Sequence, residues 1–206
     1  MALPPPLRTS VTPQELELIA SEQLVEILPL ITMEKTAFIS GAYGPLRPPA
    51  KCRIPLWMAV NLKVKKKCHI SSPRLAKRRY EERTVHISLH PINVSSEFLQ
   101  ERLSRETSYP EFSQMPFRFA EIAKAILDVA PDDIQNADKV RSLLKDLREA
   151  RQAKSREGLA KLDHSELSLP NLCSMEINEL RPFFIHAMSV LTQLSREGED
   201  RAAEQA

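Results

Sequence analysis

The chain has 206 residues, of which 42% are hydrophobic, and its 29 Lys and Arg residues nearly balance 27 Asp and Glu residues. This length allows one or two small domains, and this apolar content is sufficient for a core. With only 4 Gly against 16 Pro residues, glycine-rich phosphate loops and large glycine-turned sheets are disfavoured, so we expect a mostly helical protein.

Targeting and redox signals point to the inside of the cell. No apolar run is long enough to span a membrane, and the N-terminus lacks the charged and apolar regions of a signal peptide. The cysteines Cys52, Cys68 and Cys173 are odd in number and widely spaced, which predicts free thiols in a reducing compartment. We therefore expect an intracellular protein with no membrane partner and no disulfide framework.

The first predicted elements are a helix and two strands. Thr12, Pro13 and Glu15 form the capping pattern of a helix start, with proline at the first helical position. The segments 24–31 and 36–40 then have the composition of short strands, and the four residues between them predict a hairpin.

The run from Ile54 to Cys68, IPLWMAVNLKVKKKC, joins the only tryptophan to four lysines. Trp57, Val60 and Val64 recur at helical spacing, but the apolar residues of the run also alternate as in a strand. Periodicity alone leaves helix and strand open. In either case Trp57 and Val60 are predicted to belong to the core.

From Ser95 onward the pattern is helical. Ser95 or Ser96 can cap a helix that ends at Tyr109-Pro110. Phe119 opens the apolar stripe of a second helix, which Pro131 stops.

A long helix and a short one are predicted to follow. Asp132 or Asp133 is expected to start the long helix by capping it, and the helix is expected to continue toward Gly158. A shorter segment covers 172–177, and Pro182 is expected to open the last helix.

The two faces of the long helix are given different roles. Leu144 and Leu147 fall on an apolar seam and are predicted to lie in the core, with Leu143 widening that face. Arg148 and Arg151 fall on a polar face, which is either simply solvated or a contact surface.

The recognised catalytic motifs are absent from the sequence. It contains no GxxxxGK[ST], GxGxxG, HExxH or GxSxG pattern, and its five histidines have no triad context. Cys68-His69 could begin a metal site, but no second ligand pair follows at a suitable spacing. We expect no enzymatic activity, no cofactor and no metal.

Positive charge is concentrated in the middle of the chain. Residues 51–83 carry eleven Lys or Arg residues against Glu81 and Glu82. Such a basic island can attract nucleic acid or an acidic protein surface, although a merely solvated segment is the alternative. The candidate nucleic-acid contacts are Lys63, Lys65, Lys66 and Lys67.

Four stretches, in the same order, resemble the family of subunit two of the GINS complex, a four-subunit eukaryotic replication factor. They are the PLWMAVNLK run that ends in Lys-Cys, FISGAYGPLRP at 38–48, DDIQNADKVRSLLKDLREARQAK at 132–154, and KLDHSELSLPNLCSMEIN at 161–178. Colinear stretches are more specific than one motif. Because the first run is helical in that family, the resemblance favours a helix at Trp57.

The resemblance also implies a domain order. A disordered tail at 1–10 would precede a small β-containing domain at 11–75, and a helical bundle domain at 95–197 would follow. Residues 76–94 depart from the family pattern and are expected to be a basic, flexible insertion. The charged residues 198–206 are expected to form a second disordered tail.

The function implied by the resemblance is that of a non-catalytic assembly subunit in the nucleus. In that family both sides of such a long helix contact sister subunits, so the resemblance makes Leu143, Arg148 and Arg151 the candidate subunit-interface residues. The partners of the chain would be three sister GINS subunits and, within the replicative helicase, the MCM ring and the Cdc forty-five protein, with at most weak or indirect contact to DNA. The alternative, in a different class, is a stand-alone DNA-binding module that uses the basic island at 63–83.

Overall fold

The structure, a computed structural model, describes residues 11–71, 94–160 and 170–204. It divides into an N-terminal region (11–71), which holds all the strands of the described residues, and a helical region (94–160 and 170–204). The predominantly helical α+β fold predicted from the sequence is confirmed. In chain order the elements are α1 (Pro13–Ala20), β1 (Leu24–Pro29), β2 (Thr36–Phe38), β3 (Gly41–Tyr43), β4 (Cys52–Pro55), α2 (Leu56–Val64), β5 (Cys68–Ile70), α3 (Ser96–Ser108), α4 (Phe119–Val129), a 3-10 turn (Pro131–Asp133), α5 (Ala137–Ala160) and α6 (Ser174–Glu204).

The predicted helix starts at Thr12 and Ser95 are both present. The Thr12 hydroxyl accepts from the Glu15 amide, and the Glu15 carboxylate accepts from the Thr12 amide at 2.8 Å, which completes a capping box. Ser95 caps α3 by accepting from the Phe98 amide at 3.3 Å. These local patterns identify the helix starts because the cap is made within one turn of chain.

The hairpin predicted between 24–31 and 36–40 is wrong. β1 is instead the central strand of a three-stranded sheet, in which it pairs antiparallel with β4 and β5. Val25 and Ile27 point into the core, where Val25 lies opposite Ile54 and Ile27 opposite Ile70. β2 pairs with β3 in a separate hairpin. The sequence pattern missed β3, β4 and β5 because strands of three or four residues are too short to show a period.

The Trp57 run forms a helix, which resolves its ambiguous period in favour of α2. Leu56, Met58 and Ala59 are buried, whereas Trp57 and Val60 are only partly buried and pack against the edge of the core. The apolar residues of this run fit both a helical and a strand period because α2 carries apolar side chains on more than one side.

The buried side chains form one continuous cluster that joins the N-terminal and helical regions. α1 and α2 both pack on α4, which places the sheet against the helices. On α5, Val140 and Leu147 are buried and Leu144 is partly buried. An N-terminal region of about sixty residues buries too little surface to be very stable alone, so this shared core is a physical requirement.

Two helix boundaries differ from those predicted. α5 begins at Ala137 rather than at Asp132 or Asp133, and it runs through Gly158 to Ala160. α6 is a single helix from Ser174 to Glu204, with Pro182 inside it, so Pro182 does not open a new helix. Proline removes only one backbone hydrogen bond of a helix, and α6 continues through Pro182 without a break. The segment 198–204, predicted to be a disordered tail, is part of α6.

The predicted N-terminal tail at 1–10 and the predicted insertion at 76–94 lie outside the described residues, apart from Val94. Val94 is 1% exposed and belongs to the core.

A polar joint, defined here as Lys63, His69, Ile70, Asp132 and Asp133, connects the two regions. The Asp133 carboxylate is 5% exposed and lies 2.8 Å from Lys63 Nζ and 2.7 Å from His69 Nδ1. Its second oxygen accepts from the Ile70 amide at 2.7 Å. Asp132 binds the same ammonium group at 2.8 Å. The two aspartates therefore serve the neighbouring region, and the prediction that they cap a helix is wrong.

The electrostatics of the joint favour a charged Lys63. Burial by itself would lower the pKa of Lys63, but hydrogen bonds to Asp132 and Asp133 outweigh it and leave the pKa raised. The hydrogen bond from Lys63 lowers the pKa of Asp132. A raised lysine pKa contributes stability that is complete below about pH 10 and is lost only above it. The Lys63 contribution to the joint is therefore at full strength at neutral pH.

We predict that Asp133→Ala lowers the free energy of unfolding by about 3–5 kcal/mol, because it leaves a buried amide and a nearly buried ammonium with fewer acceptors. Asp132→Ala is the matched control. Its side chain is 67% exposed, so the expected loss is much smaller than that of Asp133→Ala. Chemical denaturation of both variants makes the measurement, and equal losses would show that the joint does not hold the regions together.

Candidate subunit interface

A buried guanidinium lies at the centre of the helical region. Arg151, on α5, is 3% exposed, and each of its five N–H groups donates a hydrogen bond. Nε and Nη2 bind the two oxygens of Glu176 at 2.6 and 2.9 Å. Nη1 binds Glu106 and the Ser113 carbonyl, both at 3.1 Å, and Nη2 also binds the Asn171 carbonyl at 2.8 Å. A single side chain thus joins α3, α6 and two loops.

Glu106 completes the charge balance of this Arg151 network. Its side chain is fully buried, and it accepts from Lys154 Nζ at 2.8 Å and from the Ser113 hydroxyl at 2.5 Å. Glu176 has a second role, because it also accepts from the Cys173 amide at 2.7 Å and so helps to cap α6. Two cations therefore meet two carboxylates, as burial of charge requires.

The network changes the acidity of its members. Burial alone would raise the pKa of Glu106, but hydrogen bonds from Lys154 and Ser113 and the charge of Arg151 bring it below its ordinary value. Burial would likewise lower the pKa of Arg151, but Glu176 raises it above its usual range. Burial raises the pKa of the Cys173 thiol to about 12, so that thiol is not a nucleophile at neutral pH.

The three predicted interface residues are not together on a free surface. Arg151 is committed to the network within the chain, and Leu143 is 8% exposed in the core, so neither is available to a partner. Arg148 is 63% exposed and binds Glu179 of α6 at 2.5 Å, which leaves it at the surface. Arg151 was predicted to lie on the polar face of α5 because of its charge. It follows Leu147 by four residues, however, and so continues the buried stripe of that helix.

The exposed apolar surface lies on α6 instead. After Asn178 no described side chain of α6 is buried, although this part of the helix carries large apolar residues. Phe183 is 52% and Val190 is 42% exposed, and the Phe183 ring contacts that of Phe184 edge to face, with centroids 6.1 Å apart. Phe183 also lines an open depression of about 260 Å³ between α5 and α6. Large apolar side chains exposed on one helix in this way indicate a contact site.

The first turns of α6, by contrast, are held firmly. Asn178 donates to the Val11 carbonyl at 2.6 Å and accepts from the Val11 amide at 2.7 Å. The Ser174 amide donates to the Phe117 carbonyl at 2.8 Å, and the Ser174 hydroxyl to Glu121 at 2.6 Å. The part of α6 beyond Asn178 therefore extends from first turns whose position is fixed by contacts with the rest of the chain.

The four candidate nucleic-acid lysines divide into two groups. Lys63 is 8% exposed and belongs to the polar joint, so it does not face solvent. Lys65, Lys66 and Lys67 are exposed at the end of α2, where Lys66 adopts a left-handed conformation with φ of 56°. The basic surface at this end is therefore smaller than the sequence suggested.

Residues 11–71, 94–160 and 170–204 contain no group of three or more His, Cys, Asp or Glu side chains that could hold a metal ion. Among the helices of those residues, none combines the length and the apolar character of a membrane span.

We predict that Glu106→Gln lowers the free energy of unfolding by about 2–3 kcal/mol, because it removes the charge that balances Arg151 and Lys154. Glu101→Gln is the control, since Glu101 is exposed on the same helix. A lowered folded-state pKa gives stability that is present above about pH 4.5 and is lost as pH falls through the folded value. The difference in unfolding temperature between Glu106→Gln and the wild type should therefore be large at neutral pH and should narrow as the pH falls below the folded-state pKa of Glu106. A difference independent of pH would contradict the charge-based explanation.

The chain is similar to known proteins over both regions. Residues 12–71 match the family model described as the PSF2 N-terminal domain, and residues 93–195 match that of the GINS complex protein helical bundle domain. The chain is 36% identical over 200 residues to the DNA replication complex GINS protein psf2 of Schizosaccharomyces pombe, covering 96% of this chain and 100% of the relative. It is 35% identical to PSF2 of Candida albicans, with 94% and 88% covered, and 30% identical to PSF2 of Homo sapiens, with 87% and 90% covered. These matches confirm the resemblance found in the sequence, and the chain belongs to the PSF2 family of DNA replication complex GINS proteins.

Proposed function

We propose that the chain is a non-catalytic structural subunit of a heterotetrameric GINS complex in the nucleus. It would assemble with three sister subunits and serve initiation and elongation of DNA replication within a helicase that contains the MCM ring and the Cdc forty-five protein. Family membership supports the GINS assignment, and the absence of catalytic motifs from the sequence is consistent with a structural role.

The apolar surface of α6 is the single observation that carries the proposal. Exposing Phe183 and Val190 to water costs free energy that burial against another helix would recover, at about 25 cal/mol per Å² of apolar surface. Phe183 and Val190 are seven residues apart and therefore lie on the same side of the helix. We infer that a helix of a sister subunit covers this side of α6.

The contacts made by the first turns of α6 prepare this helix to bind a partner. Because Glu176, Asn178 and Ser174 hold its first turns, the helix is oriented before a partner arrives. A preorganised helix loses less conformational entropy on binding than a mobile one. Arg148 and Glu179, which are paired at the surface beside this helix, would lie at the rim of such an interface.

The rival function, a stand-alone DNA-binding module, depends on the basic island. Lys65, Lys66 and Lys67 remain exposed, but Lys63 is neutralised by two aspartates. Affinity from phosphate contacts grows with the number of free cations. We therefore favour the assembly function over independent DNA binding.

We predict that Phe183→Glu with Val190→Glu abolishes recovery of the three sister subunits when all four chains are co-expressed. Two buried charges at a desolvated contact should cost several kcal/mol, which corresponds to a loss of affinity of about a thousandfold or more. The measurement is the stoichiometry of the purified complex by mass spectrometry.

Ser189→Glu is the matched control, because Ser189 is exposed and lies about 100° around the helix from Val190. It should leave the complex intact. Circular dichroism of each chain checks that the helix content is unchanged. A four-chain complex of normal stoichiometry with the double variant would refute the α6 interface.

A further inference from the structure

A second apolar surface lies on the N-terminal region, far along the chain from α6. The β2–β3 hairpin folds over α2, so that the Phe38 ring contacts Trp57 edge to face, with centroids 5.2 Å apart and an interplanar angle of 78°. The Phe38 ring also lies near that of Tyr43, with ring centroids 6.2 Å apart. These three rings form one aromatic cluster at the surface.

The aromatic cluster is continued by exposed aliphatic residues. Ile39, at the tip of the hairpin, is fully exposed, and Phe38 is 39% exposed. Val64 is 69% exposed and follows Trp57 by seven residues, which places both on the same side of α2. We call Phe38, Ile39, Trp57 and Val64, with Tyr43, the hairpin patch. The buried apolar residues of α2 are Leu56, Met58 and Ala59, and neither Ile39 nor Val64 belongs to the core, so folding of the chain alone does not require Ile39 and Val64 to be apolar.

The hairpin holds its tip in a fixed conformation. Gly41 has φ of +142°, which other residues rarely adopt, and a Cβ there would meet the Tyr43 hydroxyl at 3.3 Å. The Tyr43 hydroxyl in turn donates to the Ser40 carbonyl at 3.1 Å. Met33 and Leu46 extend the pairing at the base of the hairpin through two backbone hydrogen bonds of 3.0 and 2.8 Å. Ile39 is thus presented on a preorganised turn.

The part of the chain that carries the hairpin patch is strongly positive. Between residues 33 and 67, eight Lys or Arg residues accompany a single acid, Glu34. Lys51 is paired with Glu26, and Lys63 belongs to the polar joint. The other six basic residues are exposed, and Lys65 and Lys66 follow Val64 directly. A partner at this patch must therefore combine apolar side chains with negative charge.

We propose that the hairpin patch is a docking site for a short acidic segment of a partner protein, which inserts two or more large apolar side chains against Phe38, Ile39 and Val64. The apolar anchors supply the affinity, and the surrounding lysines select acidic sequences and accelerate association. A protein segment is favoured over a nucleic acid because Ile39, the most exposed residue of the patch, has no aromatic face on which a base could stack.

The test selects peptides on the purified complex of this chain with its sister subunits. A library of random twelve-residue peptides displayed on phage is the probe. The expected result is enrichment of peptides that carry at least two of Leu, Ile, Phe, Trp and Tyr together with an excess of Asp and Glu. A synthetic peptide of the enriched sequence should bind more weakly as salt is added.

Variants then locate the binding surface. Ile39→Glu should weaken binding of the peptide at least about tenfold, as loss of a central anchor does. Lys65→Glu combined with Lys67→Glu should weaken binding of the peptide chiefly at low salt. Tyr109→Glu is the matched control, since Tyr109 is a 63% exposed aromatic of the helical region and should leave binding unchanged. Because Ile39 has no buried surface, its replacement should not change the thermal unfolding temperature.

Three outcomes would overturn the proposal. One is that no peptide is enriched, or that enriched peptides bind Ile39→Glu as well as the wild type. Another is that Ile39→Glu weakens binding of single-stranded or duplex oligonucleotides and not of peptides. The third is that Ile39→Glu prevents assembly with the sister subunits, which would make the hairpin patch a subunit contact. Assembly is measured separately, so failure of the α6 interface remains distinguishable from failure of this proposal.

Discussion

Burial of a guanidinium obliges a protein to supply an acceptor for each of its N–H groups, and the helical region is organised around that requirement at Arg151. The acceptors come from α3, α6 and the loops at Ser113 and Asn171, so these parts of the chain must arrive together. A buried ion pair contributes little net stability compared with apolar packing, but a missing partner is severely destabilising. The main effect of the network is therefore to select one arrangement of the helices, and its contribution to net stability is smaller.

The contact between the N-terminal region and the helical region depends on a similar requirement, set by one buried carboxylate. Asp133 accepts from Lys63, His69 and the backbone of β5, while α2 packs its apolar side against α4. Apolar packing supplies the attraction, and the carboxylate selects one orientation of the sheet relative to the helices. The part of α6 beyond Asn178 and the hairpin patch lie outside these two anchored centres, and they are the surfaces that we propose for partners.

Sequence patterns predicted the fold class and most helix starts, because those signals are local. The cap at Thr12 and the cap at Ser95 each involve residues within one turn of one another. Pairing between distant segments was not visible in the same way. β4 and β5 are recognised as strands only through their contacts with β1, and nothing near Asp132 and Asp133 in the sequence reveals that Lys63 is their partner.

The candidate site was predicted less well than the fold, for a reason that Arg151 makes plain. Its spacing of four residues from Leu147 places it on the inward stripe of α5, but its charge suggested the solvated side. Spacing was the correct guide, since an arginine can be buried wherever enough acceptors converge. Glu106 and Glu176 could not have been chosen from among 27 acidic residues without the three-dimensional structure.

The hydrogen bonds between Val11 and Asn178 have a consequence for biosynthesis. They join residues 167 positions apart, so Val11, just before α1, has no partner on α6 until Asn178 has been made. At about 5–20 residues per second, translation separates the two residues by roughly 10–30 s. Until residues 119–133 have been made, the sheet also lacks its contacts with α4 and Asp133. The N-terminal region therefore completes its packing only late in synthesis.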